Sequence, residues 1–213
     1  MKIYYANIHV LKEEKQLQQA LQLLTPQRVE KIEKCKMPED KLRGITAGLL
    51  LEHGLRDYGV KRRKLQFLYG QNGKPQIAGQ EEIHFNLTHA MDYAAVGFSD
   101  RELGIDLEYI RTGKRKVAER FFTKEENDFL QENWNDVLFT KLWTRKESYI
   151  KAVGMGMRLP LDSFSVLEDK MNTKEDVFFF KSFPQIPGYW LSVCQHGELE
   201  EVLLEEIDVT ELL

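Results

Sequence analysis

Hydrophobic positions fall into short alternating runs and longer stretches with helical spacing. Ile3, Tyr5, Ile8 and Val10 in a β-rich opening predict a strand over 2–10. Helices are predicted over 12–23 and 26–35, the second with Thr25 able to cap and Pro26 suited to the first helical position. A third, over 38–58, carries Ile45, Leu49, Leu50 and His53 at helical spacing. Short strands follow at 66–69, 83–87 and 93–98, punctuated by the turn-forming GQNGKP at 70–75 and by Ser99-Asp100. From Leu103 the order repeats: a strand over 103–109, helices near 115–121, 124–132 and 134–152, then strands near 163–167, 176–182, 189–195 and 201–207. The pattern is α+β, with two halves at 1–101 and 102–213. Their short junction predicts tight packing, with a site between them.

Composition narrows the class. The 213 residues carry a net charge of −4, against a general nucleic-acid binder. The longest mostly apolar run, Ile45 to Leu51, is far below the roughly 20 residues of a membrane span. Asn7 and His9 interrupt the N-terminal apolar run, unlike a signal peptide, so a soluble cytoplasmic protein is expected. Cys35 and Cys194 have no CxxC spacing and suggest neither zinc nor a disulfide framework. Residues 1–100 carry +3 and the remainder −7, the excess acid coming from seven acids in the last sixteen residues.

Candidate chemistry concentrates in a few segments. In Gly104-Ile105-Asp106-Leu107-Glu108, strand alternation puts Ile105 and Leu107 on one face and both carboxylates on the other. Such oxygen ligands suit Mg²⁺, although the pentapeptide alone reads more readily as a surface strand. Glu147 and Lys151 share a helix face with Trp143, as a third ligand or base with a phosphate-binding cation, or as a surface pair. The helix then ends in the double-glycine stretch Gly154-Met155-Gly156. Thr88 and His89 sit at a strand end, where with the Lys74-Pro75 turn they can meet a phosphate or a base ring. Arg28 and Lys31 lie one helical turn apart, and Arg43 is a further cation of the early helices. GQNGKP lacks the P-loop spacing, and neither HExxH nor GxSxG occurs.

GIDLE at 104–108, FTKEE at 122–126 and LWTRKESYIKAVGMGM at 142–157 come in an order that resembles the Sfp-type 4′-phosphopantetheinyl transferases. The resemblance extends to Thr25-Pro26, Glu39-Asp40 with Arg43, Gly73-Lys74-Pro75, FNLTH at 85–89, LPLDSFSV at 159–166 and Glu211-Leu212-Leu213. It implies a pseudo-dimer of two similar α/β halves with coenzyme A in the cleft between them. It also implies Mg²⁺-dependent transfer of the phosphopantetheine arm to a serine of an acidic acyl or peptidyl carrier protein, releasing adenosine 3′,5′-bisphosphate. A two-half chain builds that cleft alone, so a monomer is expected.

By the same resemblance, Asp106, Glu108 and Glu147 hold Mg²⁺ with the diphosphate. Lys146 and Lys151 lie near the phosphates, Lys151 stabilising the leaving group. Glu147, directly or through a metal-bound water, takes the serine proton. Arg28, Lys31, Arg43 and His89 grip the ribose 3′-phosphate, with Gly73, Lys74, Pro75 and Thr88 around the nucleotide. Glu126 organises the helix beside the site. Arg111 and the Lys114-Arg115-Lys116 run are candidates to meet the carrier. A binding module that kept the fold and a Mg²⁺-dependent CoA hydrolase are the competing classes.

Overall fold

The computed structural model describes residues 1–60, 65–70, 73–199 and 201–213; Gln71-Asn72 of the expected turn and Glu200 of the acidic tail lie outside the described residues. Strand β1 (Lys2–Asn7) is shorter than expected because the Asn7 side chain accepts from the His9 amide and turns residues 8–10 into a 3-10 turn. Helices α1 (Glu14–Gln22), α2 (Pro26–Glu33) and α3 (Pro38–Asp57) follow. Pro26 opens α2 as anticipated, but the Thr25 hydroxyl makes no cap bond and is buried without a partner among the described residues. A two-stranded ribbon, β2 (Phe67–Tyr69) and β3 (Pro75–Ile77), precedes β4 (His84–Ala90) and β5 (Tyr93–Ser99).

The second half runs β6 (Leu103–Tyr109), α4 (Arg115–Phe121), α5 (Lys124–Asn133), α6 (Asp136–Val153), β7 (Lys170–Asn172), β8 (Val177–Phe183), β9 (Tyr189–His196) and β10 (Leu203–Glu206). The strand expected at 163–167 is instead largely a short 3-10 turn and bends, and β7 comes just after it. Two four-stranded sheets result, β10-β1-β5-β4 and β6-β9-β8-β7. Strand β10 pairs in parallel with β1, Lys2 opposite Leu203, so the chain end returns to the first half and the division at 102–213 is not clean. Val209 joins the first core behind it. Alternation marks a strand but carries no record of which sheet it joins.

The two sheets share a core in which Ile3 and Ala95 of the first meet Leu103, Ile105, Leu107, Leu191 and Val193 of the second. At the junction, β4 and β6 lie side by side without a backbone ladder. Asn86 Oδ1 accepts the Ile105 amide at 3.0 Å and Thr88 Oγ1 accepts the Leu107 amide at 3.2 Å. Two alternate polar side chains of β4 thus satisfy buried β6 donors that are costly to leave unpaired.

The opposite face of β6 receives α6. A Cβ on Gly104 would stand 2.1 Å from the Ser148 carbonyl oxygen and 2.3 Å from the Ala152 amide nitrogen. The helix backbone therefore rests on the glycine, and Asp106, two residues on, is covered rather than solvated. Gly104→Ala has to push α6 off β6. It is expected to cost roughly 3 kcal/mol, or about 6–12 °C in melting temperature, and to impair the site. A thermal melt checks this, and a near-normal melt would place the helix wrongly.

Candidate active site

Close packing of α6 on Gly104 brings Lys151 to Asp106. Lys151 Nζ donates to Asp106 Oδ1 at 2.6 Å and to Thr88 Oγ1 at 3.3 Å. Thr88 adds a bond to the same carboxylate oxygen at 3.3 Å. Asp106 is buried, yet its Oδ2 has no partner among the described residues. Burial pushes its carboxyl up, opposed by Lys151. Glu108 is pushed up to about 7 by burial and then by the neighbouring Asp106 charge, with Glu147 adding to it and Arg111 opposing. Glu147 rises for the same two reasons, burial first and Asp106 second, against the pull of Lys151. Three carboxylates thus sit in a field that resists their ionisation, which a hard cation relieves.

Glu108 lines a cleft of about 430 Å³ between the halves, with Arg43, His89 and Met91 on one wall and Arg111, Lys114 and Trp143 on the other. Arg43 is oriented by Asp40 Oδ1 at 2.8 Å and the Met91 carbonyl at 2.7 Å. His89 is held below its ordinary value by desolvation, then by Arg43 and Lys151. Arg28 lies against Gly48 of α3, where a Cβ would be 3.2 Å from its Nε. That Nε is buried without a partner among the described residues, and burial lowers the guanidinium. Lys31 is exposed beside it.

Other residues stand elsewhere than the resemblance implied. Lys146 is wholly buried, pairing with Glu126 at 2.7 Å and donating to the Leu161 and Phe164 carbonyls at 2.7 and 2.6 Å. It points away from the face of Glu147 and Lys151, so its expected place near the phosphates is corrected to a support under the 161–166 segment. Its helical position, one residue before Glu147, already turns it roughly 100° away. Glu126 closes the capping box with Thr123 at the start of α5 and accepts the Val166 amide at 2.8 Å. Lys74 Nζ donates to Glu102 at 2.7 Å and to the Ala152 carbonyl at 2.8 Å, so its ammonium clamps the end of α6 instead of facing the cleft. The Thr88 hydroxyl is likewise taken up by β6, Asp106 and Lys151.

Two contributors escaped the sequence reading. Asn86 stitches the sheets, and the polar alternation in Phe85-Asn86-Leu87-Thr88 is its trace. Arg145, buried in α6, bonds Ser182 Oγ at 3.0 Å, the Val166 carbonyl at 3.1 Å and the Asp169 carboxylate, fixing the loop that Lys146 supports. Arg115 of the basic run stacks over Trp134 at 4.8 Å, while Arg111 and Lys114 face the cleft.

Among the described residues, no three Asp, Glu, His or Cys side chains form a ready metal cage. Mg²⁺ seldom needs one: one or two carboxylates suffice, with substrate phosphate oxygens and water completing six positions. The orphaned Asp106 Oδ2 and the all-oxygen donors fit that ion.

Two outcomes follow. Glu108 binds its proton more tightly folded than unfolded, so the metal-free protein loses stability as pH rises from the ordinary 4.5 through about 7. Glu108→Gln, neutral throughout, should out-melt the parent by a few degrees at pH 8 in EDTA and converge with it near pH 4.5. Parallel melting curves would contradict the burial of that carboxyl. Lys146→Ala strands Glu126 and should cost about 3–5 kcal/mol, with little change in KM for coenzyme A in the folded fraction. A KM effect without loss of stability would return Lys146 to the phosphates.

Comparison with known proteins bears on the family. Residues 102–194 match the family model for the 4′-phosphopantetheinyl transferase superfamily, a span that includes Asp106, Glu108, Glu147 and Lys151. The chain is 29% identical to the 4′-phosphopantetheinyl transferase Sfp of Bacillus subtilis (strain 168), over 91% of this chain and 92% of that one. It is 34% identical to 4′-phosphopantetheinyl transferase ffp of Bacillus subtilis, over 78% and 80% of the two chains. It is 31% identical to 4′-phosphopantetheinyl transferase gsp of Aneurinibacillus migulanus, over 82% and 77%. With a shared motif set, a two-half α+β fold and identity of this extent, the chain belongs to the Sfp-type 4′-phosphopantetheinyl transferases.

Proposed function

We propose that this transferase works in the cleft between its halves, with Asp106, Glu108 and Glu147 as the residues that hold Mg²⁺ and Lys151 as the cation of the transfer step. The enzyme moves the 4′-phosphopantetheine arm of coenzyme A to the serine of an apo carrier protein. One observation carries the site assignment: Asp106 is buried against Lys151 with one carboxylate oxygen left unpartnered, beside two more carboxyls pushed up by burial. Mg²⁺, when bound, neutralises charge on the diphosphate and fixes its oxygens.

The chain's own residues supply the remainder. Arg28, Lys31, Arg43 and His89 bind the anionic nucleotide end, and the Gly73–Pro75 turn borders the base. Glu147 stands one turn from Lys151 on the face that meets Asp106, and takes the proton of the attacking serine, a poor nucleophile without a base. Burial raises its proton affinity above that of an ordinary carboxylate, the direction a general base needs. Lys151 stabilises the negative charge gathering on the departing bisphosphate. The oxygen of the serine gains a bond to phosphorus as the diphosphate bridge breaks, and the products are a phosphopantetheinylated carrier and adenosine 3′,5′-bisphosphate. Arg111 and Lys114, which line the cleft, supply the positive charge for an acidic carrier.

The test is to incubate the protein with apo carrier, coenzyme A and Mg²⁺ and weigh the intact carrier. A Mg²⁺-dependent gain of one phosphopantetheine is expected, lost by at least about a thousandfold in Asp106→Ala and Glu147→Ala, corresponding to roughly 4 kcal/mol of transition-state stabilisation. Near-normal rates in both variants would overturn the site assignment. Charge reversal at Lys114 and Lys116 should raise KM for the carrier several-fold while leaving KM for coenzyme A alone; an unchanged carrier KM removes these lysines from the docking surface.

A further inference from the structure

The cations expected at the nucleotide end are not all alike. Lys34, which continues the row of Arg28 and Lys31 along α2, is paired with Glu30 at 2.7 Å. Lys31 instead has its ammonium 3.7 Å from the centroid of the Tyr69 ring. Tyr69 closes β2, is 46% exposed, and is directly opposite Pro75 in the ribbon. After Tyr69, the Gly70 amide donates to the Lys74 carbonyl at 3.1 Å and the Gly73 amide to the Gly70 carbonyl at 2.9 Å. One aromatic ring therefore connects the basic row of α2 to the turn that carries Gly73 and Pro75. The same tyrosine is among the groups that favour the charged form of Arg28, whose buried Nε lacks a partner.

A ring face suits this position. It attracts the ammonium through its quadrupole without neutralising it, as a carboxylate would. Lys31 keeps its charge and its N–H donors for an anion, while its long side chain is held to one region rather than sweeping through solvent. A carboxylate in place of Tyr69 would compete with the phosphate for the same lysine.

We infer that Tyr69 is a positioning residue for recognition of the ribose 3′-phosphate, its ring holding the Lys31 ammonium beside Arg28 and binding α2 to the nucleotide-side ribbon. The inference rests on the reading of Arg28 and Lys31 as the 3′-phosphate site. Tyr69 does not touch the reacting atoms; it acts through Lys31.

The measurement is the ratio of kcat/KM for coenzyme A to that for dephospho-coenzyme A, which lacks only the 3′-phosphate. Tyr69→Leu should lower that ratio roughly three- to fivefold, the size of an exposed cation–π contact, through KM for coenzyme A. Tyr69→Phe, which keeps the ring, should recover most of the loss. In a Lys31→Ala background, Tyr69→Leu should lower the ratio no further, because its partner is gone. A ratio unmoved by Tyr69→Leu, or lowered equally with and without Lys31, overturns the inference while leaving the phosphate site standing. A parent enzyme that uses both donors equally overturns the assignment of Arg28 and Lys31 themselves, and the role of Tyr69 with it.

Discussion

The backbone of α6 lies directly on Gly104, and the site depends on that contact. A helix normally keeps its neighbours about 10 Å away through side chains, but here the absent Cβ lets the Ser148 carbonyl and Ala152 amide come down onto the strand. This approach places Lys151 within hydrogen-bond distance of Asp106 and covers a carboxylate that would otherwise be solvated. Lys74, reaching from the first half to the Ala152 carbonyl, then fastens the far end of the same helix. Each half thus contributes to holding one helix over one strand.

Two ion pairs made by lysines five residues apart on α6 show how burial is used differently. Lys146 and Glu126 are both fully enclosed, and each has further partners: two carbonyls for the lysine, the Thr123 and Val166 amides for the glutamate. Such a closed set locks a structure and leaves nothing for a ligand. Lys151 and Asp106 are less complete. One carboxylate oxygen is orphaned, and burial, with the Asp106 charge beside them, raises the proton affinity of Glu108 and Glu147 against the opposing pull of Lys151 and, for Glu108, Arg111. Unresolved electrostatics of that kind are costly to the fold and mark the place where a ligand completes it.

Much of this was legible in the sequence, and what was not has physical reasons. The β6 strand at 103–109 and the α4 helix at 115–121 fall where periodicity put them, because each has a clear apolar face and clear ends. Alternation also put Asp106 and Glu108 on one face. It did not reveal that a helix would cover that face, since covering depends on the packing of residues some 40 positions away. The motif holding Arg145, Lys146 and Glu147 led the sequence to suggest one site for Lys146 and Glu147, with no role for Arg145. Helical geometry sends the three to different surroundings: Arg145 to the 166–169 loop, Lys146 to the α5 cap, and Glu147 to the neighbourhood of Asp106 and Lys151. The destination of β10 was invisible for a related reason, because pairing of the last strand with the first is a long-range choice that local propensity does not encode.

The central claim is that burial raises the proton affinity of Asp106, Glu108 and Glu147, and that a divalent cation joining them relieves it. Calorimetric titration of the protein with Mg²⁺ near pH 7, repeated in buffers of different ionisation enthalpy, counts the protons released on binding. Binding accompanied by a substantial fraction of a proton released, tightened by coenzyme A and lost in Asp106→Asn, is the expected result. Mg²⁺ binding with no proton release, or binding unchanged in Asp106→Asn, would contradict it.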